Sequence, residues 1–171
     1  MDIKIQSDRI SLRRLHHDDL QDMYELDSDA EVHKYLGKNP VTTLEQSKNI
    51  IQSVLDQYKK NNIGRLAIID NKSKAFIGWA GLKWEEKVRS EFSYYDVGYR
   101  LKRKHWGQGY GTEAAQLSLK YGFENLKLEK ICGAADVNNI GSNRILSKIG
   151  MEKKDPFEYE GVTCNWYEIM G

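Results

Sequence analysis

Three glycines at alternate positions, Gly107, Gly109 and Gly111, stand between a strand-like run, Tyr94 to Leu101, and a helix-like run that begins at Thr112. A strand, a glycine turn and a helix in that order make an anion cradle. Glycine lets successive backbone N–H groups approach a ligand, and the free N–H groups of the first helical turn add the positive end of the helix dipole. The neighbouring residues narrow the ligand. A P-loop requires Lys and then Ser or Thr after its last glycine, whereas Gly111 is followed by Thr112 and Glu113. A dinucleotide fold places its glycine turn in the first βαβ unit with an acid about 20 residues on. Here the loop lies past mid-chain and is followed only by Glu129 in mixed surroundings.

The order of elements around the loop sets the fold class. Ile10, Leu12 and Leu15 indicate a first strand, and Leu20, Met23 and Tyr24, then Val32, Tyr35 and Leu36, give two short helical patches broken near Asp27 to Asp29. Leu44, Ile50, Ile51, Val54, Leu55 and Tyr58 recur at helical spacing from Thr43 to Asn61, and Asn62 and Gly64 close that helix. Arg65 to Ile69 and Ala75 to Trp84 read as a hairpin about a turn at Asp70 to Ser73. After the strand at 94–101 come a helix at 112–123, a strand at 130–137, a helix at 140–149 and a terminal hairpin, 151–157 and 163–169, turning at Glu160 and Gly161. Antiparallel strands first and a βαβα unit afterwards predict a mixed α/β fold in one domain over residues 1–171.

Charge excludes several partners. With 26 Lys and Arg against 25 Asp and Glu, the net charge of +1 supplies no field for nucleic acid or an anionic membrane. No apolar run approaches a bilayer span, and Met1 to Ile5 lacks the apolar core of a signal peptide, so a cytoplasmic protein is expected. Cys132 and Cys164 form neither metal spacing nor a disulfide framework, and His16, His17, His33 and His105 form no i, i+4 pair, so no metal is expected.

Further motifs join the loop to a known family. Trp106-Gly-Gln-Gly-Tyr-Gly-Thr-Glu-Ala is followed by Asn139 with Ser142, and by Lys148-Ile-Gly-Met151; the chain opens on Ile10-Ser-Leu-Arg-Arg-Leu15, then Asp18 and Asp19. Together these resemble the GCN5-related N-acetyltransferases (GNAT), most of all the bacterial ribosomal-protein N-terminal acetyltransferases of RimJ/RimL type. The likeness runs from about Asp8 to the C-terminus. It implies a strongly twisted, mostly antiparallel sheet with helices on both faces, in which a parallel strand pair splays apart to admit the pantetheine arm of acetyl-CoA. Tyr99, Leu101, Trp106, Gly107, Gln108, Gly109, Tyr110, Gly111, Thr112, Asn139, Ser142 and Lys148 are then the expected cofactor-binding residues. Trp106 stands where the wider family has Arg or Gln.

The same resemblance implies direct acetyl transfer to an amine, either a protein N-terminus or a small amine such as a polyamine. Ser142 is expected to assist the leaving thiolate, and Asp96 or Glu91 to take the proton of the amine. Many relatives carry a tyrosine acid one turn after Ser142; that position here is Leu146. The departure keeps open a second reading, a coenzyme A-binding sensor or regulatory module without turnover. Lys102 to His105, with Arg144 and Lys148, are candidates for the 3′-phosphate or plain surface charges. The acids from Asp18 to Glu31 form a solvated helix face or steer a cationic acceptor. Glu113 reads as a structural acid at a helix start. Strand edges at the C-terminal hairpin allow either a monomer or a homodimer.

Overall fold

The computed structural model describes residues 5–171, so the signal-peptide reading of residues 1–4 lies outside the described residues. Eight strands form one sheet in the order β1-β2-β3-β4-β5-β6-β8-β7. They are β1 (Ile5–Gln6), β2 (Ile10–Arg14), β3 (Arg65–Asp70), β4 (Phe76–Glu85), β5 (Tyr94–Leu101), β6 (Lys130–Asp136), β7 (Glu152–Tyr159) and β8 (Val162–Met170). Every neighbouring pair is antiparallel except β5 and β6, which are parallel and paired only at Asp96 and Cys132. Beyond that point the two strands diverge. The expected mixed α/β sheet with a splayed parallel pair is therefore present.

Among the described residues, four α-helices cover the sheet: α1 (Leu20–Asp27), α2 (Leu44–Asn61), α3 (Tyr110–Glu124) and α4 (Ile140–Lys148). The alternation of β5 separates two faces. Tyr99 meets α3 at Gly111, and Val97 and Leu146 both approach Gly133, so the odd-numbered residues face α3 and α4. Arg100 reaches Asp27 of α1, so the even-numbered ones face α1 and α2. Ile10, Leu12, Met23, Leu26, Ile51, Ile68 and Ile77 are buried in one core cluster, and Val97, Leu119, Ile131, Leu146 and Tyr167 in a second around the diverging strands. Burying each such side chain is worth about 1.5–3 kcal/mol.

Local signals explain the boundaries. Thr43 caps α2 by accepting from Gln46 N while the Gln46 side chain reaches back, and Asn62 ends the helix in the left-handed region at φ 57°. The helical patch expected at Val32 to Leu36 is instead a succession of turns. Asp29 Oδ1 accepts from Glu31 N at 3.0 Å, its carbonyl accepts from Val32 N at 3.1 Å, and Gly37 and Lys38 both take positive φ. A side chain that competes for local amides, followed by a left-handed pair, leaves no room for a helix. Strand β1 lies outside the sequence pattern, and α3 begins two residues before Thr112.

Candidate active site

The glycine loop takes a left-handed backbone and its amides are free. Gly107 and Gly109 hold φ 72° and 84°, a region costly for side chains. A Cβ on Gly107 would meet nothing within 4 Å, so conformation rather than crowding requires glycine there. Gly111 answers to packing, since a Cβ would lie 3.0 Å from the Tyr99 ring and 3.2 Å from Ile145. Among the described residues, no backbone N–H from 107 to 112 donates to a carbonyl. These unpaired donors at the start of α3 fit the pyrophosphate of coenzyme A.

Side chains fix that loop from three sides. Trp106 Nε1 donates to Leu101 O at 2.9 Å and Gln108 Nε2 to Lys104 O at 3.2 Å. Arg9 donates to Gln108 O at 3.0 Å, pairs with Glu113 at 2.6 Å and lies 4.4 Å over the Tyr110 ring. Ser7 also bonds Glu113, and Tyr110 OH donates to Asp70 at 3.1 Å. Glu113 is thus a structural acid, as the sequence suggests. Arg9 gives no sequence signal, because its partners lie about a hundred residues away.

Past Asp96 and Cys132 the facing edges of β5 and β6 carry no ladder to each other. An extended polar chain entering there finds backbone donors and acceptors on both sides. Asn139 caps α4 at the mouth of this gap, its Oδ1 accepting from Ser142 N at 3.2 Å. Asn143 secures α4 below: Nδ2 donates to the carbonyls of Asp136 and Asn139, and Oδ1 accepts from Asn165 and Tyr167. Ser142 Oγ and the Tyr99 hydroxyl stand 3.2 Å apart. Burial raises the Tyr99 pKa, with the Ser142 bond opposing. Leu146 is a core residue against Gly133.

The other face of β5 is a row of charges. Asp96 accepts from Arg65 Nη2 at 2.5 Å, and Arg65 Nη1 also donates to the carbonyls of Gly81 and Asp96. Burial raises the Asp96 pKa, and Arg65 pulls it back. The Trp79 ring lies between Arg65, at 5.1 Å, and Arg100, at 4.9 Å. Arg100 donates to Asp27 at 2.6 Å, and His33 Nε2 meets the same oxygen at 3.1 Å.

The remaining expected residues lie around this site as follows. Glu91 lies in the loop before β5, exposed and bonded to Arg89; a bond to its own backbone and then Arg89 lower its pKa. The basic run is not a free phosphate site: Lys102 is buried against Asp22 at 2.7 Å and Glu25 at 2.8 Å, Arg103 pairs with Asp29 and Lys104 with Glu25. The acids of α1 are correspondingly neither a bare solvated face nor a free attractor. Asp19 pairs with Arg13, and Asp27 is fully buried. Lys148 stands exposed at the end of α4. No group of three or more His, Cys, Asp or Glu able to hold a metal occurs among the described residues, and no described helix is long and apolar enough to cross a membrane.

A splayed parallel pair, a preformed anion loop at the adjoining helix and a capped helix across the gap define an acyl-transfer fold. Residues 9–152 match the acetyltransferase (GNAT) domain family, and the chain belongs to it. Over 150 residues it is 29% identical to an uncharacterized N-acetyltransferase, p20, of Bacillus licheniformis, covering 88% of this chain and 83% of that protein. A GNAT-family acetyltransferase structure from Bacillus anthracis superposes with a TM-score of 0.82 at 26% identity, over 98% of each chain. RimL, a ribosomal L7/L12 α-N-protein acetyltransferase solved with coenzyme A, gives 0.80 at 15% identity over 98% of each chain. A spermidine N-acetyltransferase from Vibrio cholerae with coenzyme A and spermine gives 0.78 at 18% identity over 96% of each. The expected enzyme class, an acyltransferase, agrees with these relatives.

Proposed function

We propose that residues 1–171 form one acetyltransferase domain that moves an acetyl group from acetyl-CoA directly to a primary amine, on a small cationic molecule or a protein N-terminus. The unpaired amides of residues 107–112 beside the open β5–β6 edges carry this reading. Acetyl-CoA supplies the activated acetyl group. Loop amides and Thr112 hold its phosphates, and the free edges of β5 and β6, with Tyr99 and Leu101 on one wall and Asn139 on the other, align the pantetheine. Backbone N–H groups in the gap serve as oxyanion donors.

Two proton tasks fall to side chains. An alkylamine with a pKa near about 10.4 is almost wholly protonated at neutral pH and must lose a proton before attack. Asp96 is the acceptor for that proton: its carboxylate sits on the α1–α2 face at the point of divergence, and burial makes it more basic than a free aspartate. Ser142 Oγ, backed by the Tyr99 hydroxyl, returns a proton to the departing sulfur.

The second reading, a coenzyme A-binding regulator without turnover, draws on Leu146 in the place of the usual acid. The Tyr99–Ser142 contact favours the enzyme, because it supplies a hydroxyl relay from β5 instead. Free-thiol release from acetyl-CoA against polyamines, amino acids, aminoglycosides and short peptides separates them. Release with one acceptor class establishes transfer, and binding of acetyl-CoA with no release for any acceptor supports the regulator.

A further inference from the structure

Arg89 lies in the loop of residues 86–93 between β4 and β5, and its guanidinium is boxed by aromatic rings. The guanidinium carbon stands 4.9 Å from the Phe92 ring centroid, 4.4 Å from Phe157 and 4.7 Å from Trp166. Tyr94 packs edge to face with Trp166 at 4.7 Å. Ring faces converging on one point form a receptor for a guanidinium or ammonium ion. The resident cation is poorly satisfied in it. Among the described residues, Arg89 Nη1 is buried with no acceptor, and the head makes one hydrogen bond, from Nε to exposed Glu91 at 3.2 Å. Among the described residues, no backbone–backbone hydrogen bond ties 86–93 to another segment. A recess of about 140 Å³ beside the head is lined by Val88, Arg89, Ser90, Glu91, Phe157 and Glu158, which gives it an opening with two carboxylates.

The box faces the same side of the sheet as Asp96. Trp166 pairs opposite Ala134 on β6, and Asp96 pairs with Cys132, two residues earlier on that strand. Two strand spacings across the sheet, about 10 Å, and two residues along it, about 7 Å, place the box roughly 12 Å from Asp96.

We propose that Phe92, Phe157 and Trp166 form a cation subsite of the acceptor site, and that Arg89 is its built-in plug. An acceptor with a guanidinium or ammonium at its far end displaces the Arg89 head into solvent, enters the box between Glu91 and Glu158, and directs its near amine toward Asp96. The acceptor class is thus a small dication with its charges on a short alkyl chain. The part concerning the near amine rests on the acetyltransferase reading; the box itself is a binding site that can be measured without turnover.

The test empties the box with Arg89→Ala and titrates methylguanidinium into ¹⁵N-labelled protein without acetyl-CoA. The Trp166 indole N–H is expected to shift saturably, with a Kd about tenfold below that of wild type, whose box is filled. Arg89→Lys, which keeps the stem and a more strongly hydrated cation, is expected to lie between them and serves if the alanine variant unfolds. No indole shift in either variant, or equal Kd in variant and wild type, overturns the proposal. In turnover, Arg89→Ala is expected to lower KM for 4-guanidinobutylamine about tenfold and leave KM for butylamine unchanged; an unchanged ratio overturns the acceptor assignment. An indole shift with no transfer to any amine upholds the cation site and refutes the acetyltransferase reading instead.

Discussion

The Tyr99 hydroxyl on β5 lies 3.2 Å from Ser142 Oγ in the first turn of α4, joining the two walls of the β5–β6 gap. Burial, opposed by this bond, raises the tyrosine pKa, so the phenol keeps its proton at neutral pH. The pair therefore holds a donor where Leu146 cannot. Removing the phenolic oxygen with Tyr99→Phe is expected to lower kcat by about tenfold while KM for acetyl-CoA stays within about twofold. The loss is below the usual ceiling for an acid because a thiol of pKa about 8.5 leaves with modest help. Steady-state kinetics of Tyr99→Phe and Ser142→Ala check it, and a double variant no slower than either single one would show that the two act as one relay.

With Asp96 as the proposed base, Asp96 and Arg65 are expected to set the acid limb of the pH–rate profile. Burial raises the Asp96 pKa and Arg65 opposes the rise. Replacing Arg65 by Gln removes the opposing charge, so the pKa moves further up and the fraction of base at a given pH falls. The acidic limb of kcat/KM is expected to move to higher pH in Arg65→Gln, and Asp96→Asn to lose about a hundredfold or more in kcat/KM. Should the limb stay in place while overall activity declines, Asp96 is not the base.

The glycine loop separates strain from ligand contact. At Gly107 a methyl meets no atom within 4 Å, so Gly107→Ala costs only the left-handed backbone, about 1–2 kcal/mol. Its expected signature is a small fall in Tm with a rise of more than about tenfold in Kd for acetyl-CoA. At Gly111 the methyl is crowded by Tyr99 and Ile145. Gly111→Ala is therefore expected to move the Tyr99 ring and lower kcat as well. Calorimetric titration of acetyl-CoA beside thermal melts distinguishes the two; equal effects of both variants on kcat would refute the division.

Much of this arrangement is legible along the chain, and the physical reason is locality. The glycine loop is contiguous, so Gly107 to Thr112 declare it, and the period of Ile51, Val54 and Tyr58 declares α2. The proposed acetyl site is assembled from afar. Tyr99 and Ser142 are 43 positions apart and Arg65 and Asp96 are 31 apart, and side-chain pairing over such separations leaves no periodic trace. The basic run and the acids of α1 look like two patches in sequence. In the fold they neutralise each other, because Lys102 crosses 80 positions to Asp22. At Val32 to Leu36 the apolar spacing suggests a helix, but Asp29 and Gly37 impose turns that periodicity does not register.

Asp27 is fully buried, and one of its oxygens takes both Arg100, at 2.6 Å, and His33, at 3.1 Å, while Oδ2 has no partner among the described residues. Its charge is therefore held mainly by one guanidinium, itself packed against Trp79. Arg100→Met keeps much of the stem volume but strands the carboxylate, and breaking a buried pair from one side costs about 3–5 kcal/mol. Arg103, by contrast, pairs with Asp29 from a side chain 59% exposed, so Arg103→Ala is expected to cost less than about 1 kcal/mol. It is also expected to leave Kd for acetyl-CoA within about twofold, because that guanidinium is engaged with α1's flank rather than with phosphate. Urea unfolding of the two variants, with acetyl-CoA titration of the second, reads both. Equal losses of stability would show that Asp27 reaches water or a second partner when Arg100 is gone, and a large rise in Kd for Arg103→Ala would return the basic run to the phosphate site.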